Sequence, residues 1–167
     1  MSRSHIFAAA AVAASTAAVG VGALDASGQG TPTASAIDTP RTLTLSTPFE
    51  GGKSRHIDLG KKGVGAGDLF LGTETPLRDE ETGRRVGEFE GVETILSAAH
   101  NGTVHISGAL RLGDGSIEVA GTIRHTDPGE PLAVIGGTGA YANARGEVTN
   151  REDARRKVNV MTVTLLP

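Results

Sequence analysis

From Arg41 onward the apolar residues recur every second position, and no stretch offers three turns of helix. Val104, Ile106, Leu110 and Leu112 share one parity, and Thr103, His105, Ser107 and Arg111 share the other. Ile117, Val119 and Ile123 alternate with Glu118, Thr122 and Arg124. Residues 42–46 and 55–59 alternate in the same way, and 158–166 is rich in Val and Thr. Between Asp68 and Thr75, Leu69 and Leu71 take one face, and Asp68, Phe70 and Glu74 take the other. Successive side chains of a strand point to opposite faces, so each run suits a half-buried antiparallel strand. Turn residues separate the runs: Gly51-Gly52, the segment 79–83, Asn101-Gly102, Gly113-Asp114-Gly115 and the segment 127–131. About eight strands spaced in this way imply an all-β sandwich or an up-and-down barrel. A closed barrel has no free sheet edge and can hold one small ligand inside.

Composition narrows the function. Sixteen Lys and Arg against 19 Asp and Glu leave a net charge of −3, so no basic face for nucleic acid is expected. Aromatics are 3% and Trp is absent, which argues against base-stacking platforms and aromatic cages. Without Cys there can be no disulfide, no Cys-ligated zinc and no thiol nucleophile. His56, His100, His105 and His125 show neither H-x-x-x-H nor H-E-x-x-H spacing, so no metal site is read here. The mixed-sign cluster 151–157 reads as a solvated hairpin tip.

Residues 1–26 have the pattern of a secretory signal: Arg3, then an uncharged Ala/Val/Gly run over 6–24, ending near Ala26. The competing reading is a membrane anchor. The run is only weakly apolar and no basic cluster follows it, so a secreted protein without a stable anchor is expected. Residues 27–40, rich in Ser, Thr, Gly and Pro, read as a flexible linker. The barrel domain is expected over 41–167.

Residues 132–142 carry G-x-G-x-x-A after an apolar run, which in isolation suggests a dinucleotide fingerprint. The context opposes it. Gly146 interrupts any following helix, Glu152 and Asp153 come too early for the ribose contact, and 25 residues are too few for a doubly wound sheet. A glycine-rich corner, where backbones approach closely, is the alternative.

The same glycines carry a resemblance. The segment Gly-Gly-Thr-Gly-Ala-Tyr-Ala-Asn-Ala-Arg-Gly at 136–146 resembles the GGTG-x-[FY]-x-x-ARG segment of the dirigent and allene oxide cyclase barrel superfamily. Upstream, Gly67-Asp68-Leu69-Phe70 and Glu74-Thr75-Pro76-Leu77, followed by Gly87 and Gly91, resemble the superfamily's strand ending in D-D-P-L and the strand after it. The resemblance covers about residues 41–166. It implies an eight-stranded antiparallel barrel with a central cavity for an apolar small molecule, acting without a cofactor. Dirigent barrels form trimers, so it also implies a homo-oligomer.

Within that frame Glu74 matches the first acid of D-D-P-L, with Thr75 in place of the second, and Arg145 matches the Arg of A-R-G. These two are the candidate catalytic residues. A carboxyl facing an apolar cavity would exchange protons near neutral pH, and an Arg would steady developing negative charge. Asp68 and Phe70, by shared parity, and Tyr141, as a cavity donor, are the candidate ligand-binding residues. Each also has a structural reading: a solvated Glu, a structural ion pair for Arg145, a packed Tyr141 ring. Three functions remain open. They are a cofactor-free cyclase or isomerase, a non-catalytic carrier or dirigent template, and a structural or adhesion barrel filled by its own side chains.

Overall fold

The computed structural model describes residues 39–127 and 129–167. The expected signal (1–26) and most of the linker lie outside them. The order of elements is β1 (Arg41–Pro48), β2 (Lys53–Ile57), β3 (Leu69–Asp79), β4 (Arg85–Ile95), β5 (Thr103–Leu112), β6 (Gly115–Arg124), β7 (Leu132–Gly139), β8 (Gly146–Asp153) and β9 (Val158–Leu165). All pairings are antiparallel, and from β3 to β9 each strand bonds to the next. β9 pairs with β1, and β1 returns to β3 through Leu45 opposite Asp79 and Ser46 opposite Arg78. This closes an eight-stranded barrel, which the resemblance implies and which is one of the two architectures the alternation left open.

The ninth strand has a simple origin. β2 pairs with the first half of β3, from Lys53 opposite Thr73 to Ile57 opposite Leu69, while β1 takes the far end of β3 on the same edge. β1 and β2 are thus two halves of one broken stave, interrupted at residues 49–52, where the Gly51-Gly52 signal lies.

The turn chemistry falls where expected, with one difference. β8 runs on to Asp153, so residues 150–153 are strand and only 154–157 turn. Asp153 stabilises that turn by accepting from the Arg156 backbone N–H at 3.1 Å and from its Nε at 2.8 Å. Arg156 also pairs with Glu80 at 2.6 Å and so ties this hairpin to the β3–β4 turn. Arg151, Glu152, Arg155 and Lys157 are exposed at this end of the β8–β9 hairpin, as a solvated tip requires, while Asp153 and Arg156 pair with each other.

The glycine segment is a corner, and no helix follows it. β7 ends at Gly139 with φ +59, and a Cβ there would meet the Asp114 carbonyl at 2.3 Å. Only glycine fits so tight an approach. The chain then turns through residues 140–143 into β8.

Alternation fills the barrel. Phe89, Ile95, Val104, Ile106, Leu110, Ile117, Val119 and Ile123 are all buried. They form two clusters. One gathers Leu45, Leu77, Phe89, Leu110, Ile117, Tyr141 and Leu165 with their neighbours, and the other gathers Phe70, Ile95, Val104, Ile106 and Ile123.

Candidate functional site

Between the two clusters lies a cavity of about 70 Å³. By the same measure one water needs roughly 10–15 Å³, so the lumen has room for more than isolated waters. Its apolar wall comes from both clusters: Phe89, Leu110 and Val119 from the first, Ile106, Ile123 and Leu132 from the second. Its polar wall collects Thr47, Ser54, Thr75, Asn150 and Asn159, with Lys53 and Glu130. Phe89, on the cavity wall, owes its place to a row of glycines. Gly72, Gly91 and Gly108 stand opposite one another across β3, β4 and β5, leaving a row without side chains. The Phe89 ring occupies part of that row: a Cβ on Gly91 or on Gly108 would come within 2.8 Å of it.

Two interior polar groups stand out. Glu93 is 4% exposed. It lies on β4 between Phe70 of β3 and Ile106 of β5, its partners in register, and shares their inward face. Burial pushes its carboxyl up to about 7, because the charged form has lost water and no cation replaces it. Glu93 does not itself line the cavity; its register partner Ile106 does, which sets the Glu93 carboxyl in the interior one strand from the cavity wall. The second group is Asn150, whose buried Oδ1 receives no hydrogen bond. β8 pairs with β7 only from Gly146 to Val148, so Asn150 lies just past the end of that ladder.

Sequence reasoning missed both. For Glu93 the signal was present, since it has the parity of Phe89 and Ile95, whereas Glu88 and Glu90 have the opposite parity. Asn150 was hidden because the charged run around it reads as a turn.

The sequence candidates fall in several places. Glu74 sits at a bulge: the β3–β4 register slips between Gly72 and Thr75, and Glu74 has φ +56. The extra residue breaks the parity that grouped Glu74 with Asp68 and Phe70. Its exposed carboxylate pairs with Lys53 Nζ at 2.6 Å. Arg145 is exposed, and its guanidinium donates to the Pro167 carbonyl. Glu74 and Arg145 are therefore not brought together in the lumen.

Asp68 and Phe70 do share the inner face, though neither lines the cavity. Asp68 is fully buried and accepts from the backbone N–H groups of Leu59 at 2.8 Å and Gly65 at 2.9 Å, with His56 Nε2 at 3.0 Å. The Leu59 and Gly65 amides, then His56, hold its carboxyl below the usual carboxylate range against the opposing effect of burial. The carboxylate thereby fastens the 58–67 loop to the barrel. The His56 ring stacks on Phe70 at 4.4 Å with the planes 7° apart. Tyr141 is 3% exposed within the first core cluster, with the Arg41 guanidinium 5.5 Å from its ring centre, and it is not part of the cavity wall. Burial, then Asp114, pushes its hydroxyl pKa up.

Solved structures with this fold include a pyocyanin demethylase at 26% identity and TM-score 0.64, matching 75% of this chain and 99% of that one. A pterocarpan synthase dirigent protein matches at 17% identity and TM-score 0.55, over 83% of this chain and 94% of its own. AbnU, an exo-specific intermolecular Diels-Alderase, matches at 15% identity and TM-score 0.54, over 76% and 98%. No family model and no curated protein matches the chain. The fold is thus that of the dirigent and cyclase barrels.

Proposed function

We propose that this protein is a secreted barrel that takes a largely apolar small molecule into its lumen and rearranges it, as a cyclase or isomerase, by proton transfer through Glu93 without a cofactor. The observation that carries the reading is a cavity inside a closed barrel, with an inward-facing carboxyl, Glu93, that stands one strand from the cavity wall and is pushed up to about 7 by burial. A group poised there gives or takes a proton at neutral pH with little penalty either way, which is what general acid–base catalysis needs. The apolar wall would fold the substrate, so orientation would supply part of the rate. Secretion is supported by the leader-like residues 1–26. The names of the similar structures, a demethylase, a dirigent protein and a Diels-Alderase, favour small-molecule chemistry over an adhesion role.

The test is to incubate heat-treated extract of the host culture with the protein and follow its small molecules by mass spectrometry. The wild type is expected to convert one compound into another of the same mass, since cyclisation and isomerisation conserve atoms. Glu93→Gln should bind that compound and convert it at least about a hundredfold more slowly. If the wild type binds a compound and releases it unchanged, the carrier reading replaces catalysis.

A further inference from the structure

We infer that Asn150 is the polar anchor of the lumen, and that the ligand carries a neutral hydrogen-bond donor, a hydroxyl or an N–H, at one end of its apolar body. This deepens the small-molecule reading above and rests on it. Asn150 lines the cavity, and its side-chain oxygen is buried without a donor. Native interiors leave few acceptors unmade, because a buried acceptor has given up water for nothing. That oxygen is closed to water where it lies, and because Asn150 borders the cavity, a turn of its amide is what presents it to a ligand donor.

The neutrality of the donor follows from the charges on the wall. Lys53 is paired with Glu74, and Glu130 is held by the Arg124 guanidinium and by the Arg124 backbone N–H. Each wall charge already has its opposite, so neither a cation nor an anion gains from entering. The rest of the ligand meets Ile106, Ile123, Leu132, Leu110 and Phe89.

The test compares 2-naphthol with 2-methylnaphthalene, nearly isosteric probes of which only the first donates. With no Trp in the chain, naphthyl fluorescence reports binding directly. The quantity read is the Kd of the methyl compound divided by that of the hydroxyl compound, which cancels their difference in hydrophobicity between protein variants. Asn150→Leu should lower that ratio by about fivefold or more, the worth of one ordinary hydrogen bond. Asn150→Ala, which adds no bulk, should lower it similarly, and thermal melts confirm that each variant is folded. If both probes bind and the ratio is unchanged in the two variants, the anchor is wrong and the cavity reading stands. If neither probe binds the wild type, the cavity reading falls and the anchor falls with it.

Discussion

Two buried carboxyls in this chain behave oppositely because of what surrounds them. Asp68 is met by two backbone N–H groups and a histidine, and it stays ionised. Glu93 is met by apolar neighbours, and its carboxyl is pushed from 4.5 up to about 7. The consequence for stability has a definite sign. Between those two pH values the folded protein keeps a proton that the unfolded chain has released, so raising the pH favours unfolding. The contribution of Glu93 is complete below about pH 4.5 and is lost as pH rises through about 7. The loss is on the order of 3 kcal/mol for a shift of this size. Glu93→Gln should flatten this fall, so its melting temperature should exceed that of the wild type at pH 8 and not at pH 4.5. Thermal melts at the two pH values measure it, and a wild type equally stable at both would contradict the assigned environment.

At the scale of elements, the legible features were those governed by local rules. β5 and β6 were readable because their parity runs unbroken from Val104 to Leu112 and from Ile117 to Ile123. β3 misled because a bulge cannot be seen in alternation: one extra residue at Glu74 turns the acid out of the interior. The broken stave β1–β2 was foreshadowed by Gly51-Gly52, but its continuity depends on both halves meeting the same edge of β3, a long-range fact. The glycine row across β3–β5 is a similar case. Gly91 and Gly108 are far apart in sequence and become neighbours only through register. That row makes room for the Phe89 ring. Gly108→Ala would place a Cβ 2.5 Å from the Glu90 carbonyl and 2.8 Å from Phe89, so overpacking should cost about 1–3 kcal/mol. Chemical denaturation would show it, and a variant as stable as the wild type would mean that β4 and β5 can separate freely there.

For the molecule as a whole, closure is the decisive property. A sheet that bonds back on itself has no edge to protect, and its inner face becomes a compartment. The chain leaves that compartment partly empty between two cores, with an unpaired amide oxygen on a residue of its wall and an ionisable acid one strand away. The overall architecture was legible from periodicity and the glycine corner. The site was less so, because inward direction is set by which face closes the barrel and not by residue type. Asp68, Phe70 and Tyr141 are interior but structural in their contacts, whereas Glu93 and Asn150 acquire their character from burial alone. The most direct measurement is native mass spectrometry of the protein purified from its host's culture medium, followed by organic extraction of anything bound. The account predicts a chain shortened by about the first 26 residues, as a signal cut requires. It also predicts a co-purifying small molecule with an apolar body and a hydroxyl or N–H group. A protein that emerges empty, and that takes up no fatty-acid, phenolic or polyketide probe, would contradict it and leave a barrel whose interior serves only its own stability.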